Sequence, residues 1–296
     1  MHRRNFLFGC AASLMAAEDG PLPIQVGSQV AAGFYSGEAY DKPFLYPIRT
    51  VSGKVLSRGW PLEPNEGDSK DHAWHRGFWY GHGSINGADF WREQGRDKTA
   101  RLINKAQPLV RKGIVAVALS MTPPSGKAMG EMRQEFHFAD KGSLRTIDAE
   151  ITILADCGVD LVFGDSDDGG FAFRLNESFR EDRGARLRNS DALTGTKEIW
   201  GKPARWVDYS AVVEGGQAGV ALFDHPSNLR HPTRWHARGY GLNAANPFAL
   251  KSFTKDPNAD GGYTLPAGQR LVLRYRAVVY EGAPDIAKLY DEFARR

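Results

Sequence analysis

All but two of the 8 histidines, His2 and His137, fall in two short stretches that also carry carboxylates, guanidinium groups and indoles. The first runs Asp71-His72-Ala73-Trp74-His75-Arg76-Gly77-Phe78-Trp79-Tyr80-Gly81-His82 and continues through Asn86, Asp89, Trp91 and Glu93. The second opens at Asp224-His225 and reaches Arg230-His231-Pro232-Thr233-Arg234-Trp235-His236-Ala237-Arg238-Gly239-Tyr240. This mixture suits a polar ring ligand such as a sugar: an indole stacks on the apolar ring face, while imidazole, carboxamide and guanidinium groups hydrogen-bond the hydroxyls. Imidazoles and carboxylates also serve as general acids and bases. On that reading His75 or His236 is the acid or base, with Asp168 or Glu93 as its carboxylate partner. His72, Arg76, Trp79, Asn86, His231, Trp235, Arg238 and Tyr240 are the expected substrate contacts, Trp79 and Trp235 being the stacking surfaces.

Strand geometry constrains these assignments, because residues two apart share a face. An extended segment turns His236, Arg238 and Tyr240 the same way. It also places His75 and Trp79 on one face and His82 on the other. Gly77 and Gly81 leave room on the His75 face for a neighbouring backbone or a ligand. A divalent metal held by His72, His75, His231 or His236 is the alternative, although His72-x-x-His75 is not the spacing of a zinc-protease helix. Asp165-Ser166-Asp167-Asp168-Gly169-Gly170 gathers carboxylates before glycine but lacks the glutamate that closes a calcium loop. It reads as a solvated turn, with Asp168 kept as an acid or base candidate.

The frame that must position these groups reads as all-β. Apolar residues recur at period two in short runs separated by Gly, Pro, Asn and Asp: Val110 to Met121, Glu131 to Phe138, Leu144 to Leu154, and Leu271 to Tyr280. Ala211 to Phe223 reads as a hairpin around Gly215-Gly216. Only Ile286, Leu289, Tyr290 and Phe293 show helical spacing, after Pro284 in the expected first turn. The expected fold is a large antiparallel β-sandwich with a short C-terminal helix, one domain from residue 21 to 296. The long polar loops from Pro61 to Lys70 and from Glu181 to Glu198 are expected to border the site.

Residues 1–17, MHRRNFLFGCAASLMAA, have a basic start and an apolar run ending in small residues, so they read as an export signal, and Arg3-Arg4 gives it a twin-arginine character. The expected location is periplasmic or extracellular. Removing the leader takes Cys10 and leaves Cys157 alone, so no intramolecular disulfide is expected. The 38 basic and 35 acidic residues nearly balance, which gives no footprint for nucleic acid. No later run approaches the roughly 20 apolar residues of a membrane span.

The sequence also resembles a bacterial family, usually secreted, whose members are labelled PmoA family protein or methane oxygenase PmoA. The residues that carry the resemblance are Tyr46-Pro47, His72 with His75-Arg76-Gly77, Asn86-Gly87, Phe90-Trp91, Gly169-Gly170-Phe171, Trp206-Val207-Asp208-Tyr209, and Asp224-His225-Pro226 through Asn246-Pro247. The label implies a metal-dependent oxygenase. A sandwich similar to the aldose mutarotases implies instead a His and a carboxylate acting on a sugar. The expected function is an extracytoplasmic carbohydrate-active protein, an enzyme working by His/carboxylate acid-base chemistry. The alternatives are a non-catalytic carbohydrate-binding protein and the oxygenase.

Overall fold

The computed structural model describes residues 20–296, so the export signal read over residues 1–17 lies outside the described residues. Two large antiparallel sheets, one of seven strands and one of nine, make up most of the described residues, with a two-stranded sheet of Leu161–Phe163 and Tyr263–Leu265 beside them. The alternation read in the sequence is what builds them. In Ile114–Thr122 every second side chain is buried, and Arg145, Ile147, Ala149, Ile151 and Ile153 point inward from Leu144–Leu154. The run from Val110 is broken, however. Lys112 and Gly113 take positive φ (42° and 78°), which turns the chain so that Leu109–Arg111 pairs back on Ile114–Thr122. Gly215 behaves similarly: with Glu214 it sits at φ 75° and 50° and closes the hairpin between Trp206–Val213 and Gly216–Asp224.

The seven-stranded sheet has the order Leu22–Val26, Gln29–Tyr35, Phe44–Tyr46, Phe78–His82, Gly169–Arg174, Leu242–Asn246, Arg234–Trp235. Its inner face contributes Leu45, Phe78, Tyr80, Phe171, Phe173 and Ala245 to a core shared with the nine-stranded sheet. Its outer face carries a separate aromatic cluster of Phe44, Tyr46, Trp79, Ala172, Leu242 and Ala244, joined by Trp91. Register aligns Phe44, Trp79, Ala172 and Ala244 in one row across four strands. Part of the outer face of the other sheet is covered by the C-terminal helix Ile286–Ala294, whose Ile286, Tyr290 and Phe293 pack on Trp206, Phe223, Val278 and Tyr280. That helix starts at Ile286, so Pro284 lies outside the first turn in which it was expected. Asp285 is the N-cap, its carboxylate accepting from Lys288 N at 3.0 Å, and Pro284 precedes the cap. No helix among the described residues is long and apolar enough to cross a membrane.

Candidate functional site

The outer face of the seven-stranded sheet is where the two histidine stretches meet. Trp79 rises from the strand Phe78–His82, and the loop before that strand folds His72 to His75 back over it. The rings form a continuous stack: Trp79 on His75 (centroids 5.1 Å, 18°), His75 on His72 (4.8 Å, 2°), and His72 on Tyr240 (5.8 Å, 11°). The Arg174 guanidinium covers Tyr240 at 4.4 Å. Trp74 and Trp91 meet His75 edge-on. Gly77 and Gly81 are needed here for close backbone approach and not for a ligand: a Cβ at either would meet the carbonyl oxygen of Leu45 (1.9 Å) or Phe90 (2.6 Å).

Asp71 is the electrostatic centre of this wall. It accepts from Arg58 Nη1 at 2.7 Å, from Arg174 Nη2 at 2.8 Å and from His72 Nδ1 at 2.7 Å. Burial pushes its carboxyl upward, but the hydrogen bond and charge of Arg174, with those of His72 and Arg58, outweigh burial and hold it well below the usual carboxylate range. An ionised carboxylate can only accept, so Nδ1 of His72 carries the proton and Nε2 holds the lone pair. His72 is also strained: its φ is 45°, in a region costly for a bulky residue, and its side chain is 40% exposed.

The other imidazoles differ. His75 is 1% exposed, both ring nitrogens are buried without a partner, and burial, followed by the charges of Arg174 and His72, lowers its pKa well below the ordinary value. His236 is 4% exposed and neutral to about pH 4 through burial. Its Nδ1 donates to the Asp167 carbonyl at 2.7 Å, and its Nε2 accepts from Arg238 Nε at 3.0 Å. Asp168 pairs with Arg92, and burial raises its pKa despite that pairing.

Several expected site residues stand elsewhere. Glu93 is not free to partner a histidine, because Lys42 (3.0 Å) and Arg76 (2.8 Å) hold it in a partly buried ion triad beside Trp91. Burial raises the Glu93 pKa, but the charges of Lys42 and Arg76 reverse this and lower it. Trp235 faces the shared core, fully buried, its Nε1 donating to Ala204 O at 2.8 Å, and Trp79 is buried under His75, so neither offers a stacking surface. Asn86 closes a turn by bonding the backbone of Asp160 and Val162. His231 bonds Asp224 at 2.8 Å near Tyr290 of the C-terminal helix, on the other sheet. His82 lies on the core side, as alternation predicted, with Nε2 donating to Gly164 O at 2.8 Å.

The metal expectation meets a geometric obstacle. Imidazole lone pairs lie in the ring plane, and His72 and His75 are parallel within 2°, so their lone pairs cannot converge on one ion. Among the described residues no group of three His, Cys, Asp or Glu gathers around a common point. In the Asp165–Gly170 turn the carboxylates diverge as well: Asp165 accepts from Leu250, Lys251 and Gly261 amides while Asp168 turns to Arg92.

Sequence reasoning missed Arg58, Asp71, Arg174 and Lys42. Asp71 was adjacent to the histidines, but the two buried arginines come from distant segments and carry no local signal.

The fold and the site together define an all-β, antiparallel sandwich with a polar, aromatic-lined site on the outer face of one sheet. The chain belongs to a family of unknown function, DUF6807, whose model matches residues 22–294. This corrects the PmoA resemblance and leaves the oxygenase reading without the label it rested on. Of the motifs that carried it, Trp206–Tyr209 is part of a core strand and Asn86-Gly87 of a turn. No curated protein matches the sequence. Solved structures with a similar fold include a provisional aldose 1-epimerase from Escherichia coli K12 (11% identity, 90% of this chain and 99% of that one, TM-score 0.43). Two others are a galactose mutarotase related enzyme from Lactobacillus acidophilus (8%, 89% and 98%, 0.44) and a galactose mutarotase-like protein from Clostridium acetobutylicum (10%, 86% and 95%, 0.36).

Proposed function

We propose that this protein is an exported carbohydrate-active enzyme in which the Asp71–His72 pair moves protons to and from sugar oxygens. The observation that carries the reading is the pair itself: a half-exposed imidazole whose Nδ1 is fixed 2.7 Å from a carboxylate that two arginines keep ionised. His72 Nε2 takes a proton from a sugar hydroxyl, and Asp71 stabilises the imidazolium that forms. Asp168, its carboxyl raised by burial, is the residue assigned as the complementary acid. Trp74, half-buried and edge-on to His72 and His75, is the indole left to meet the ring face, because Trp79 and Trp91 are buried and Tyr240 lies between His72 and Arg174. His75 and His236 give way to His72 in the acid-base role. One is sealed behind its neighbours and the other has its lone pair occupied by Arg238.

The test is a panel of free sugars and glycosides followed by NMR for anomer exchange, epimerisation and released reducing ends. His72→Ala is expected to lower the rate about 100- to 10,000-fold without changing the fold. An active wild type whose rate survives His72→Ala removes the pair from the mechanism. Binding without turnover by wild type makes this a carbohydrate-binding protein, and failure to bind any sugar sinks the reading. Export is checked by fractionation, recovery of all of the protein in the cytoplasm being the contrary result.

A further inference from the structure

The arginines around the site divide by whether the protein supplies their counter-charge. Arg58 and Arg174 share Asp71, Arg76 is paired with Glu93, and Arg92 with Asp89 and Asp168. Arg238 has no carboxylate partner among the described residues, and its only side-chain hydrogen bond is from Nε to His236. A guanidinium nitrogen only donates, so His236 Nε2 accepts and its Nδ1–H passes on to the Asp167 carbonyl. This relay pins the base of the guanidinium and leaves both Nη groups, a two-pronged donor, without a protein acceptor.

Arg238 also lies over the Trp200 ring at 5.4 Å, and Lys255 Nζ over the same ring at 4.7 Å. Lys255 too has no carboxylate within ion-pair distance among the described residues. Two cations therefore share one indole with no anion between them, an arrangement that repels itself until a negative group arrives. The indole Nε1 of Trp200 and the hydroxyl of Ser252 nearby are buried without partners. Buried polar groups are normally paired, so this corner is short of acceptors as well as of negative charge. It adjoins the proton-transfer pair: Tyr240, two residues beyond Arg238, stacks on His72.

We infer that the site takes a sugar bearing an anionic substituent, a carboxylate or a phosphate, held end-on by the two Nη groups of Arg238 with Lys255 adding charge across Trp200. The inference rests on the sugar reading above and names the class of sugar.

Calorimetric titration of the full mature chain with glucose, glucuronate and glucose 6-phosphate, and with the galactose series, reads the preference directly. The expected result is binding of an anionic member about 10- to 100-fold tighter than its neutral counterpart, weakening at high salt. Arg238→Gln is expected to collapse that ratio towards one, Arg238→Lys to restore part of it, and the exposed Lys255→Gln to lower it without touching the His236 relay. A uronate preference assigns the carboxylate, and a phosphate preference the phosphate. Neutral and anionic sugars binding equally, or a ratio unmoved by both Arg238→Gln and Lys255→Gln, overturns this inference and leaves the sugar reading standing. No binding by either class overturns both.

Discussion

His82 and His236 are nearly inaccessible, and burial lowers the pKa of each to about 4. In the unfolded chain both return to about 6.5, so between those values the unfolded state binds protons that the folded state does not. Each therefore contributes stability that is fully present above about pH 6.5 and is lost as pH falls towards 4, to the extent of roughly 3 kcal/mol. The hydrogen bonds name the tautomers: Nε2–H in His82, donating to Gly164, and Nδ1–H in His236. In His82→Gln the side-chain amide still donates to Gly164 but does not titrate. Urea unfolding at pH 7, 6, 5 and 4 is expected to show a shallower loss of stability in His82→Gln than in wild type; parallel curves would mean that His82 takes up its proton as readily in the folded chain as in the unfolded one. His72, paired and half-exposed, is chemically the different imidazole, although nothing in the sequence distinguishes it from His75 three residues on.

The loop from Ser69 to His75 has no regular structure, yet it places Asp71, His72 and His75 at fixed positions. Arg58 explains how. From a buried position it donates to four backbone carbonyls of that loop, those of Ser69, Asp71, His72 and His75, and to the Asp71 carboxylate. Burial lowers the Arg58 pKa to about 10, with Arg174 adding to the effect and Asp71 opposing it, so it remains charged at neutral pH. Arg58→Met removes the clamp, strands carbonyls and leaves Asp71 with Arg174 and His72 only. The expected cost is about 3 to 5 kcal/mol, with faster amide exchange confined first to residues 69–75. Arg58→Lys is not expected to rescue it, since one ammonium cannot reproduce a planar fork. Hydrogen exchange read by mass spectrometry checks this, and unchanged protection of the loop would show that the sheet alone holds it.

At the scale of the molecule, the site and the C-terminal helix occupy the outer faces of opposite sheets, separated by the shared core. Perturbations that far apart, with no common partner, add. Phe293→Ala, which removes a buried ring from Phe223 and the underside of the helix, is expected to cost about 3 kcal/mol in chemical denaturation while leaving the His72-dependent rate at 25 °C within error of wild type. A proportional fall in that rate would show that the two faces communicate.

Much of this architecture was legible beforehand because it is local. Period-two burial in Leu144–Leu154, the hairpin within Ala211 to Phe223 and the amphipathic spacing of Ile286, Tyr290 and Phe293 all follow from side-chain direction along a single segment, whereas the extended run expected from Trp235 to Tyr240 ends in a turn at Gly239 and Tyr240. What the sequence could not separate was Trp79 from Trp235: two indoles in similar polar surroundings, one on the outer face and one in the core. That choice depends on which sheet face is covered by which loop. The pairing of Asp71 with Arg58 and Arg174, and of Glu93 with Lys42 and Arg76, joins segments distant in sequence, and it decides which carboxylate is available to a histidine. The sequence by itself determined the strands, their alternation and the inventory of reactive groups, because those depend on neighbours one to four residues away. Only the tertiary structure decided which imidazole keeps a free lone pair and which arginine lacks a counter-charge, because burial and ion pairing are set by residues brought together across the sheet.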